Sequence, residues 1–140
     1  MKRYFWLLLL VIGLTACDSR DYDSTFRGVY IGEEVGFNPF EQGDVRLCVD
    51  DNMRMYNVGT TPVELVYVTN YVYKVQLIKR LPQQGWADAV EDVSLQYGYA
   101  GRILLEDGTY NYCRFFVYNI DYDADAKQFV LFRYQHDWEP

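Results

Sequence analysis

The sequence predicts an all-β fold: an antiparallel barrel of about eight strands with one short helix, with a two-sheet sandwich as the alternative. Three observations carry this. Tyr and Phe are frequent, 14 and 8 among 140 residues, and with Val they favour a pleated, half-buried surface. Apolar positions alternate over short runs instead of recurring at helical spacing. Turn residues punctuate the runs closely, so most connections are short. Closure removes exposed strand edges, which favours the barrel.

Phe26–Val35 is the first expected strand, with Gly28, Gly32 and Gly36 at bending points. Asn38-Pro39 marks a loop. Val45–Val49 and Met53–Val58 flank Asp50-Asp51-Asn52 as a hairpin, with Val45, Leu47, Val49, Met53 and Met55 on one face. Val63–Val68 and Tyr71–Lys79 flank Thr69-Asn70 as a second hairpin. Trp86, Ala89, Val90 and Val93 fall at helical spacing and predict a short amphipathic helix. Asp107-Gly108 is the strongest turn signal. Read as a two-residue turn, it sets Leu105 against Tyr110, Ile103 against Tyr112 and Tyr99 against Phe116, leaving Cys113 on the opposite, more polar face. Gln128–Tyr134 is the last expected strand.

Ahead of this domain stand Lys2 and Arg3, an apolar run of eleven residues from Tyr4 to Leu14, and Leu14-Thr15-Ala16-Cys17. A spanning helix needs roughly 20 apolar residues, so this run is too short to be one. The order of charged tip, apolar run, small residues and cysteine resembles a bacterial lipoprotein signal peptide ending in a lipobox. The resemblance implies removal of residues 1–16 and a diacylglycerol on the Cys17 thiol; residues 17–25 then form a lipidated tether, and the length and strand pattern of 26–140 suit a single β domain. Asp18 directly after that cysteine resembles the signal for retention in the inner membrane. Asp18–Thr25, fully extended, spans under roughly 30 Å, so the domain is expected to work near the periplasmic membrane surface.

Without Lys2 and Arg3, the 13 basic residues fall to 11 against 20 acidic, a balance of −9. That argues against nucleic acid as a partner and favours a basic protein. Cys48 and Cys113 remain once Cys17 carries lipid, and an exported protein meets an oxidising compartment, so a disulfide between them is expected. A metal site built from these thiols and His136 lacks ligand spacing.

Asp121, Asp123 and Asp125 begin a calcium-loop pattern, but Ala126 and Phe132 stand where Gly and Glu are required. Turn formation explains these aspartates equally well. His136 is the lone histidine and has no sequence partner for nucleophilic catalysis. Neither an enzyme nor a cofactor is therefore expected. Asp50, Asp51, Glu33 and Glu34 are the candidate partner-contact residues, with exposed tyrosines supplying contact area.

Phe26-Arg27-Gly28-Val29-Tyr30, then Glu34 and Phe37-Asn38-Pro39, resemble the opening strand of oligonucleotide/oligosaccharide-binding-type barrels in envelope-stress lipoproteins, with Phe40 where those have cysteine. Lysozyme-inhibitor lipoproteins share the plan of anchor, small barrel and disulfide, without their specific motifs here. The expected function is a lipid-anchored, non-catalytic protein-binding module, an inhibitor or immunity protein against a basic partner. The alternatives are an assembly or stress-signalling accessory of an envelope complex, and a small lipid carrier or glycan hydrolase.

Overall fold

The computed structural model describes residues 24–140. The expected signal peptide, lipobox, Cys17, Asp18 and most of the tether lie outside those residues.

Eight strands form among the described residues: β1 (Thr25–Tyr30), β2 (Leu47–Val49), β3 (Met55–Asn57), β4 (Glu64–Thr69), β5 (Ala89–Val90), β6 (Gly98–Leu104), β7 (Tyr110–Tyr122) and β8 (Gln128–Trp138). All pairings are antiparallel. The strands divide into a five-stranded sheet in the order β1-β8-β7-β6-β4 and a three-stranded sheet in the order β2-β3-β5. The fold is therefore all-β, as the alternation predicts, but the described strands form two sheets and not the expected closed barrel, with β1 and β4 at the two edges of the larger sheet. No helix among the described residues is long and apolar enough to cross a membrane.

The main core lies between the sheets. Leu47, Val49 and Met55 of the small sheet share one buried cluster with Tyr99, Ile103, Phe115, Val117, Val130, Phe132 and Tyr134 of the large sheet. Phe37 is its aromatic centre, stacked on Phe132 at 4.6 Å and edge-on to Phe115 at 5.8 Å. A second cluster covers the other face of the large sheet. There Val72, Val75 and Ile78 pack against Val66, Ala100, Phe116 and Trp138.

This second layer replaces two expected elements. Tyr71–Lys79 does not pair with β4; it carries a 3-10 turn at Val75–Leu77 and lies over the sheet, while β4 pairs with β6. The segment expected as a helix around residues 86–93 instead supplies the two-residue β5 and the bridge of Ala87 to Leu65. Its apolar residues are divided between layers, Val90 and Val93 in the main core and Trp86 in the second cluster. That division gives no single apolar stripe for a helix to bury.

Two registers differ from expectation. Val49 pairs with Met55 instead of Met53. A two-residue shift preserves the face, so Leu47, Val49 and Met55 still point into the core. In the β6–β7 hairpin Tyr99 pairs with Phe115 and Gly101 with Cys113, one residue away from expectation. The turn contains three residues, not two: Leu105 N–H donates to the Thr109 carbonyl at 2.8 Å, and Gly108 adopts φ 88°. A left-handed glycine after a turn of this length forms a bulge and moves the register by one.

The expected Cys48–Cys113 disulfide is absent; both cysteines are free and buried. The layering of the two sheets keeps them apart. Cys113 faces the main core with Phe115 and Val117. Cys48 lies between the core residues Leu47 and Val49, so its side chain leaves the opposite face of β2. There it sits beside Gly36 and directs its thiol at the Arg46 carbonyl, 3.7 Å away. The two thiols thus occupy different layers. Burial raises the pKa of each, keeping both protonated at neutral pH.

Candidate functional site

Four loops meet at the end of the domain reached by the last residue of β1. The segment 31–34 is joined to the β2–β3 turn, where Gly32 N–H donates to the Val49 carbonyl at 2.8 Å. That turn is joined to segment 91–93, where Val93 N–H donates to the Met53 carbonyl at 2.8 Å and Arg54 pairs with Glu91 at 3.0 Å. The β7–β8 turn is joined to β1, where Tyr30 Oη donates to Asp123 at 2.7 Å and Lys127 pairs with Glu33.

Segments 31–34, 50–54, 91–93 and 121–128 together carry nine carboxylates against two bases, Arg54 and Lys127, a balance of −7. The other described residues hold eight carboxylates and eight bases. The whole charge imbalance of the described residues is thus collected at one end.

The structure brings the expected contact residues Glu33, Glu34, Asp50 and Asp51 to this end and gives three of them local partners. Glu33 pairs with Lys127. Glu34 accepts a hydrogen bond from Tyr56 at 3.3 Å. Asp50 closes its turn by accepting from the N–H groups of Asn52 and Arg54 at 2.8 and 3.1 Å. Asp51 is exposed, and its Oδ1 stands 3.2 Å from where a Gly32 Cβ would lie. Gly32 adopts φ 87°, so this close approach of the two loops requires glycine.

The calcium candidates take up turn duty. Asp123 accepts from Tyr30 and from the N–H groups of Asp125 and Lys127, which holds its carboxyl below the usual range, the Lys127 amide bond contributing most. Asp121 accepts from the Tyr122 amide at 2.8 Å. No group of three or more His, Cys, Asp or Glu side chains among the described residues is arranged to hold a metal ion.

Two constellations had no sequence signal. Glu41 accepts a 2.6 Å bond from Tyr134 Oη and stands 3.5 Å from His136 Nε2, while His136 Nδ1 lies 3.0 Å from Asp137. Burial and the Glu41 bond together raise the Tyr134 phenol to about 12. This cluster ties the loop before β2 to the end of β8. The residues span nearly 100 positions, and only folding assembles them.

The second constellation is an open cleft of about 760 Å³ at the opposite end of the large sheet. Arg102 forms its base. Its guanidinium stands over the rings of Trp86 and Tyr110, 4.2 and 4.3 Å away, and Nε donates to Glu64 at 2.8 Å. Pro62, Val63, Leu104 and Asp88 complete the walls.

No family model, no curated protein and no solved structure matches this chain.

Proposed function

We propose that the chain is a lipid-anchored lipoprotein of the bacterial envelope whose β domain is a non-catalytic binding module for a basic protein. The anchor rests on the leader residues ending at Cys17. The partner's sign rests on the one-ended charge. An electrostatically complementary surface raises encounter rate and selects partner sign more than it adds raw affinity.

The supporting observation is where the acidic end lies relative to the anchor. The tether enters β1 at Thr25, and the acidic loops begin just beyond Tyr30, six residues along one strand. At about 3.3 Å per residue that separates them by roughly 17 Å. A domain tethered at Thr25 therefore holds its acidic loops away from the start of its tether, and so clear of anionic head groups that would repel them.

Two measurements test this. Labelling cells with a radioactive fatty acid is expected to mark the protein, and Cys17→Ala to abolish the label; an unlabelled wild type overturns the anchor. Full-length protein immobilised in detergent is expected to retain a stoichiometric basic partner from envelope extract or from a panel of basic lytic proteins, released by high salt. Retention of neutral or acidic proteins alone, insensitive to salt, overturns the binding reading.

A further inference from the structure

The cleft around Arg102 lies at the end of the large sheet opposite the acidic loops, beside the β6–β7 turn. Its chemistry is different. Glu64 pairs with Arg102 across β4 and β6, with 43% of the Glu64 and 21% of the Arg102 side chain exposed. The guanidinium stands over the rings of both Trp86 and Tyr110. These contacts and a side-chain hydrogen bond with Tyr112 fix the arginine, whose five N–H donors outnumber these partners. Rigid placement of this kind limits what a ligand loses in ordering the site.

Beside this pair stands Asp88. Leu65 and Ala87 exchange both backbone hydrogen bonds, 2.7 and 3.0 Å. Glu64 and Asp88 flank that bridge and share one face of the strand pair, an arrangement that costs stability for like charges. Asp88 has no ion-pair or hydrogen-bond partner among the described residues. The facing wall is apolar: Leu104 is 64% exposed and its cross-strand neighbour Tyr110 38%.

The cleft thus offers one acceptor held by Arg102, a second unpaired acceptor in Asp88, a fixed donor and an apolar wall, at a volume suited to a small ligand. An anion meets two carboxylates. A cation meets a guanidinium that already compensates Glu64. A neutral ligand with many hydroxyls and one apolar ring face meets neither obstacle. We propose that this cleft binds a short neutral saccharide. One sugar ring lies against Leu104 and Tyr110, its hydroxyls donate to Asp88 and Glu64, and a ring or hydroxyl oxygen accepts from Arg102. Hydrogen bonds to charged groups are the stronger kind, which suits the recognition of hydroxyls. The proposal does not depend on the acidic end or on its protein partner.

The test is calorimetric titration of the full-length protein, held in a detergent without a sugar head group. Chitotriose, cellotriose and maltotriose are the neutral probes; spermidine and citrate are the charged ones. At least one trisaccharide is expected to bind. Affinity is expected to fall at least tenfold in Asp88→Asn and in Tyr110→Ala, and to stay unchanged in Asp50→Asn/Asp51→Asn. Thermal melting confirms that each variant is folded, and Tyr110→Phe, which keeps the ring, is expected to bind as the wild type does. Three results overturn the proposal: no trisaccharide binds, spermidine or citrate binds while the saccharides do not, or saccharide binding survives both substitutions.

Discussion

Tyr30 and Asp123 are 93 positions apart and share a 2.7 Å hydrogen bond that closes the end of β1 onto the β7–β8 turn. The bond lowers the carboxyl's affinity for protons and raises the phenol's. The folded Asp123 pKa is depressed, so its contribution to stability is full above the ordinary carboxylate range and is lost as pH falls through the folded value. Removing the phenol oxygen in Tyr30→Phe is expected to move the Asp123 titration upward toward the ordinary value, read by carboxyl-carbon NMR. An unchanged titration contradicts the assignment.

Cys48 and Cys113 are predicted to be two thiols in the folded protein. Maleimide labelling of Cys17→Ala, followed by mass spectrometry, is expected to add nothing under native conditions and two labels after denaturation without reductant. Burial accounts for the first result and separation into different layers for the second. No label after denaturation, with two after reduction, would restore the disulfide.

Phe115 faces the core and Tyr118 is 47% exposed. Phe115→Ala is expected to cost about 3–5 kcal/mol in chemical denaturation. Tyr118→Ala removes half-exposed contacts with Phe26 and Arg133 and is expected to cost about 1 kcal/mol or less. The two-residue turn places Tyr118 on the core face and reverses this order, so the pair of values decides the register.

Gly98 lies beneath the second layer, where an added Cβ would come within 2.7 Å of Val72 and 3.0 Å of Ile78. Gly98→Ala is expected to destabilise the fold by about 1–3 kcal/mol through overpacking. It is also expected to raise hydrogen exchange in residues 72–78. A neutral effect would mean that this segment does not cover the sheet.

The contrast between two hairpins shows what the sequence makes legible. Around Asp50-Asp51-Asn52 the pairing moved by two residues, and the expected inward set of Leu47, Val49 and Met55 held because strand faces repeat every second residue. Around Asp107-Gly108 it moved by one, and the β7 side chains from Tyr110 to Val117 changed face, whereas Ile120, beyond an irregularity after Val117, kept it. Alternation could not detect that error, because Phe115, Phe116 and Val117 are consecutive and all buried, with Phe116 in the second layer. A strand covered on both faces reads as a continuous apolar run. The disulfide expectation failed on layering: Cys113 faces the main core, whereas Cys48 leaves the opposite face of β2. The candidate sites divide in the same way. Glu33, Glu34, Asp50 and Asp51 were visible as charged turn residues, whereas segments 91–93 and 121–128 join them only through long-range pairing. The Trp86–Arg102–Tyr110 stack spans three segments and has no motif.

The central claim is that the acidic end carries the binding, and paired charge removal tests it most directly. Affinity for the basic partner would be measured by surface plasmon resonance for full-length wild type and two variants. One variant is Glu34→Gln/Asp50→Asn/Asp51→Asn at the acidic end; the other is Asp88→Asn/Glu106→Gln/Glu139→Gln at the opposite end. Both lose three charges, so net charge alone cannot separate them. The account predicts at least a tenfold loss, mainly in association rate and steeper at low salt, for the first variant and little change for the second. Equal losses in both, or a loss confined to the second, would contradict it.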